Sequence, residues 1–140
     1  MSEFPFAVKV FAAAAAESLA RGQADYLAWM DSDSIVVSEP KALLLSDGKD
    51  LGYRPVDHTL IGSPYDAPID RFWESIYRHC GVPESRGFPF PMVTSVDERR
   101  IRPYFNAGLL VVRPERGLLQ SWRERFHRLY GEACFEGRCR

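Results

Sequence analysis

The chain has 140 residues, 46% hydrophobic and 26% charged, with a formal net charge of −1; that suffices for one domain with a core, but not comfortably for two. Its 18 basic and 19 acidic residues are interspersed, which excludes the electrostatic footprint of a general nucleic-acid binder and leaves the cluster Arg99, Arg100 and Arg102 as a solvated loop. No apolar run approaches the roughly 20 residues of a membrane-spanning helix.

In chain order, Phe4, Val8, Phe11, Ala15 and Leu19 recur at helical spacing, alanine propensity reinforces them, and Gly22 supplies a stop. This segment is not a secretory signal: Glu3 spoils the basic front, the centre is mostly alanine, and Glu17 follows at once. Tyr26 to Met30 reads as a strand buried on both faces. Ile35 to Val37 is a second short strand closed by Pro40, and Ala42 to Leu45 is a further short element before a turn. Val56 to Ile61 reads as a strand. Ile69, Phe72, Trp73, Ile76, Tyr77 and Cys80 then form one helical stripe, with Asp66 as cap and Gly81 and Pro83 as stops. GFPFPMV is broken by its prolines. Leu109 to Val112 is a strand, and Pro114 opens a last helix whose aromatic residues, Trp122, Phe126 and Tyr130, read as core. The alternation argues an α/β fold. Three cysteines without a CxxC pair indicate reduced thiols and a cytoplasmic protein, and His79, Cys80, Cys134 and Cys139 have no zinc spacing.

Chemistry concentrates in YLAWMDSDSIVVSEP, where an apolar strand runs into Asp31 and Asp33 separated only by Ser32. Two carboxylates so close need water or a cation between them. Ligands in open α/β sheets bind beyond the carboxyl ends of strands, so the position suits a site. Hard oxygen ligands suit Mg²⁺ or Mn²⁺ shared with substrate phosphates. A calcium loop starting at Asp31 would need glycine and glutamate where Val36 and Ala42 stand. An aspartyl phosphatase would need a lysine and an acidic pair downstream, yet Lys9, Lys41 and Lys49 all lie in the first half. A solvated turn bonded to its own backbone is the non-functional alternative.

A second motif is RPYFNAGLLVVRP, Arg102 to Pro114. Asn106 offers donor and acceptor groups to hydroxyls, and Ala107 and Gly108 leave room for a ring to approach the backbone. WMDSDSIVV followed by YFNAGLLVV resembles the glycogenin-like and galactosyltransferase-like (family 8-type) glycosyltransferases of the GT-A fold, over about Lys9 to Tyr130. The resemblance implies a metal-dependent transferase using a UDP-sugar donor and an unidentified acceptor. Asp31 and Asp33 would hold Mn²⁺ or Mg²⁺, Asp31 and Ser32 would lie near the donor nucleotide, and Asn106, Ala107 and Gly108 would face the transferred sugar. It points to the retaining kind; an inverting enzyme would need a base, for which Asp97 or Glu98 could serve, although a solvated charged loop suits them better. Tyr104 or Phe105 could stack on a sugar ring. Adjacent Asp57 and His58, with Ser63, lack the elbow of a serine hydrolase.

Upstream of Asp31 there is room for one helix, whereas the family places a nucleotide-binding half there. HRLYGE around His127 does not match the family's histidine motif, and the chain ends soon after, at FEGRCR. The expectation is therefore one truncated GT-A-like domain over 1–140, a mixed sheet with flanking helices. Its uncovered edge would pair in a homodimer or with a completing partner chain. The alternative to a transferase is a catalytically inactive remnant that associates through that edge.

Overall fold

The computed structural model describes residues 7–83 and 90–131. Helix α1 spans Ala7–Ala20, strand β1 Leu27–Met30 and strand β2 Leu51–Pro55. Helix α2 (Arg71–His79), the short strands β3 (Met92–Val93) and β4 (Arg100–Ile101), the long strand β5 (Phe105–Val112) and helix α3 (Leu118–Gly131) follow. One sheet has the order β1-β5-β2 and a second pairs β3 with β4. The fold is α/β with flanking helices, as the sequence indicates, and the β1–β5 and β3–β4 pairings are antiparallel. The chain divides into two compact units, Met1–Gly52 with Gly108–Arg140, and Tyr53–Ala107.

In the first unit, Leu27 pairs with Val112 and Trp29 with Leu110. Side chains alternate across a strand, so these four share one face. That face meets Ala13 of α1 and Leu119 of α3, with Trp122 packed against the cluster. Ala13 and Ala14 have no exposed surface, and these small side chains allow α1 close to its neighbours. Phe11 and Phe126 add an edge-to-face contact between α1 and α3, centroids 6.3 Å apart.

The start of α3 explains a residue whose role the sequence conceals. Pro114–Arg116 forms one 3-10 turn, and Gly117 turns left-handed at φ 63° before the helix begins. The last helix therefore starts four residues later than Pro114 suggests. Gly117 has no side chain to cap the first turn's amides. Glu17, fully buried on α1, supplies the missing acceptors: Leu119 N donates to its Oε1 at 3.1 Å and Gln120 N to its Oε2 at 2.8 Å. Gln120 returns its side-chain amide to Ala14 O and, at 2.6 Å, to Ser18 Oγ.

In the second unit, Asp70 rather than Asp66 caps α2, accepting from Trp73 N at 2.9 Å. The helix closes with Gly81 at φ 66° and with Val82 N donating to Tyr77 O at 2.8 Å, a left-handed C-terminal cap. Val56, Met92 and Ile101 form the core, with Tyr104 and Phe105 against it. Trp73 Nε1 donates to Ile61 O at 2.6 Å. Arg102 is no solvated loop residue: it donates to Ser63 Oγ at 2.8 Å, to Pro64 O and to Ala67 O at 2.6 Å, so one guanidinium fixes the 63–67 loop. Arg100 pairs with Asp66 at 3.1 Å and lies over the Tyr65 ring.

Two expected strands are absent. Residues 56–61 form turns, because pairing sits one segment earlier in β2. Ile35 to Val37 joins no strand, and Ile35 and Val37 are 85% and 91% exposed. Ala42 to Leu45 contributes a 3-10 turn, Lys41–Leu43. Phe4, part of GFPFPMV, Cys134, Cys139 and the FEGRCR tail lie outside the described residues.

Glu17→Ala leaves two amides at the start of α3 without acceptors inside the core, and should lower unfolding free energy by about 2–4 kcal/mol. Urea titration checks this: the midpoint falls while the slope is unchanged.

Candidate functional site

β1 ends at Met30, and the alternation that turns Leu27 and Trp29 toward α1 brings Asp31 to the same side. The β1–β5 register continues one residue past the strand: Asp31 N donates to Gly108 O at 2.9 Å. Ser34 N donates to Asp31 O at 3.0 Å, closing a turn over Asp31 to Ser34. Asp31 is half-buried, while Ser32 and Asp33 are exposed.

Asp31 has a cationic partner that the motif alone does not reveal. Lys9, two residues into α1, places Nζ 2.7 Å from Oδ1 and 2.8 Å from Oδ2. Both carboxylate oxygens thus face one ammonium, and one of the two repelling charges in the turn is neutralised. The helical spacing Lys9, Ala13, Glu17 was the available signal: it sets a lysine two turns before the buried glutamate on one helix face.

Asp31 and Asp33 are hard oxygen donors in one turn, the second open to solvent. Among the described residues no three His, Cys, Asp or Glu side chains converge. The donor set fits the protein's share of a Mg²⁺ or Mn²⁺ site that keeps waters and takes further oxygens from a phosphate, rather than a closed protein cage.

Of the residues expected near a sugar, Gly108 lies beside Asp31 through that backbone bond. Asn106 and Ala107 precede it on β5, half-buried, and belong to the second unit. Tyr104 and Phe105 are engaged in packing. Tyr104 meets the Trp73 ring with centroids 5.8 Å apart, and Phe105 lies on Tyr53 at 4.1 Å.

Asp97 is exposed in the loop between β3 and β4, as expected of a solvated charge, and its carboxylate is also bonded to a distant segment. Thr59 donates to its Oδ2 from both N, at 3.0 Å, and Oγ1, at 3.1 Å, and Thr94 Oγ1 donates to Oδ1. These bonds, the one from Thr94 foremost, hold its carboxyl at about 2. Asp57 is held below the usual carboxylate range chiefly by the Ser95 hydroxyl, with the Arg54 guanidinium assisting. The two carboxylates organise the loop between β3 and β4.

A separate open cleft of about 430 Å³ lies by the start of β1, lined by Gly22, Asp25, Arg113, Glu115 and Arg116 among others. Three of its charged side chains have partners: Glu115 accepts from Gly22 N at 2.7 Å, Arg116 donates to Asp50 at 2.9 Å, and Arg113 donates to Lys49 O and covers the Tyr26 ring. No helix among the described residues is long and apolar enough to cross a membrane.

Comparison with protein families gives a match between residues 1–136 and the model of a Rhodobacterales glycosyltransferase domain. No curated protein and no solved structure matches the chain.

The Asp97 network gives an acid-stability signature. Its folded-state carboxyl titrates near 2, below the roughly 3.9 of an unfolded aspartate. The stability it contributes is therefore complete above about pH 4 and is lost as pH falls from there toward 2. Asp97→Asn should unfold at lower urea at pH 7, and its midpoint should fall less steeply than the wild-type midpoint over that acid window.

Proposed function

The chain belongs to the Rhodobacterales glycosyltransferase domain family, and from that premise we propose that it transfers a sugar from a nucleotide-diphosphate donor, with the turn Asp31 to Ser34 receiving the diphosphate and its divalent ion. The observation that carries this reading is the bond from Asp31 N to Gly108 O, 2.9 Å, which joins two motifs distant in sequence at one strand end. We read the fold as GT-A-like and UDP-sugar as the donor to try first. Asp31 and Asp33 would hold Mn²⁺ or Mg²⁺, which when bound supplies positive charge against the negative charge developing on a departing diphosphate.

The protein's own groups divide the work. Asp33, exposed, offers its carboxylate from the turn, while both oxygens of Asp31 meet Lys9 in the metal-free protein. The Asp31–Gly108 backbone bond holds the end of β1 against β5. Gly108 presents backbone without a side chain there, so a sugar ring can approach closely. Asn106 and Ala107, further back on β5, are the proposed sugar-facing residues, and Ser32 the one toward the nucleotide.

A second reading, a non-catalytic module that binds another copy or a partner chain, is favoured by the apolar run Ile35 to Val37 standing exposed outside any strand. Ligand-dependent unfolding separates the two. A ligand that binds only the folded state raises stability by mass action, by about 2.7 kcal/mol at a hundred times its Kd. The transferase reading expects the melting temperature to rise with UDP and Mn²⁺ together by more than the sum of either alone. Asp33→Asn should melt like wild type without ligand and lose that rise. An equal response to UDP with and without Mn²⁺, or none, would sink the reading and favour the module.

A further inference from the structure

Lys9 Nζ lies 2.7 Å from Oδ1 and 2.8 Å from Oδ2 of Asp31, and the two side chains are 23% and 32% exposed. The ammonium thus occupies the direction between the two oxygens, where a cation gains from both. It does so in surroundings less screened than open water. No ion pair engages Asp33 among the described residues, and it stands in solvent. The turn therefore holds one carboxylate already neutralised by the protein and one that is not. A dication brought to Asp31 would lie within about 4 Å of the ammonium, where like charges at a protein surface repel more strongly than in bulk water. The position of Lys9 is not incidental to a floppy side chain. Its helix is fixed two turns later, where Glu17 accepts from Leu119 N and Gln120 N.

We propose that Lys9 is a built-in competitor for the divalent ion at Asp31: the ion pair and metal ligation by Asp31 exclude one another, and Lys9 thereby sets the metal affinity of the turn. This rests on the diphosphate–metal reading of the Asp31 to Ser34 turn. It assigns the first carboxylate two alternative partners, an ammonium in the resting protein and a divalent ion once that ion is shared with an anionic donor. Asp33 receives the ion in either state.

Direct binding of Mn²⁺, read from the electron paramagnetic resonance of the free ion with and without UDP, tests this without any assay of sugar transfer. Wild type, Lys9→Met and Lys9→Arg are compared, with Lys9→Gln as a second neutral variant should Lys9→Met prove unfolded by circular dichroism. The proposal expects both neutral variants to bind Mn²⁺ about tenfold or more tighter than wild type, and Lys9→Arg to bind as wild type does. Binding detected only in the neutral variants supports the same competition in a stronger form. A folded neutral variant that binds Mn²⁺ no tighter than wild type, or more weakly, overturns the proposal while leaving the metal reading standing, since Lys9 would then only position Asp31. Absence of Mn²⁺ binding in every folded form, with UDP present, overturns the metal reading and the competition together.

Discussion

Glu17 is buried between two helices and accepts the second and third amides of α3, and the arrangement of the first unit follows from that bond pair. A helix start at a left-handed glycine has no cap of its own. The partial positive charge at such an end favours an anion, all the more where water is excluded. Meeting that demand from α1 fixes both where α1 lies along α3 and how it is rotated about its axis. Lys9, Ala13 and Glu17 are spaced by four and therefore lie on one face. With Glu17 held, Ala13 is pressed into the cluster of Leu110, Val112 and Leu119, and Lys9 comes over the end of β1. The stabilising bond and the candidate site are consequences of the same helix rotation.

The sheet contributes the other half of the placement. The registered pairing of β1 with β5 covers four residues, from Leu27–Val112 to Met30–Leu109. A slip of one residue would turn Trp29 off the core face and part Asp31 from Gly108. Burial of Leu110 and Val112 opposes such a slip. The apolar residues before Asp31 thus do more than fill a core: their alternation decides which side of the sheet the carboxylate faces. That side is the one where α1 carries a lysine.

Much of this was legible in the amino-acid sequence, and the parts that were not share a cause. Helices α2 and α3 declared themselves by apolar spacing, but on α1 the spacing picked the wrong face: Val8 and Leu19 are 74% and 72% exposed, while Ala7, Val10, Ala13, Ala14 and Glu17 are buried. The apolar run before Asp31 is a strand, yet it is buried on one face only, with Ala28 and Met30 exposed. The strand placed at Val56 to Ile61 is a turn region, and Ile35 to Val37 is exposed chain. In both cases β-branched or apolar residues satisfied a local propensity that no neighbouring strand took up. Glu17, Arg102 and Asp97 had the opposite fault. A charged residue reads as surface in a sequence, yet each makes bonds to distant segments that no local pattern encodes. Lys9 belongs with them, since its partner is 22 positions away. The family match supports the glycosyltransferase reading of the chain.

The face shared by Lys9, Ala13 and Glu17 makes α1 an element of fixed length. Each residue in an α-helix advances the side-chain direction by about 100°. Deleting or adding one residue between Lys9 and Glu17 would leave composition and helix propensity almost untouched. It would nevertheless swing Lys9 a quarter of a turn or more away from Asp31 while Glu17 still held α3. The segment from Ser34 to Lys49 has no such helical phase to keep, because it is extended chain, bends, one 3-10 turn and a tight turn at Asp47–Gly48. Insertions and deletions should accordingly be admitted freely between the carboxylate turn and β2, and refused within two turns of helix.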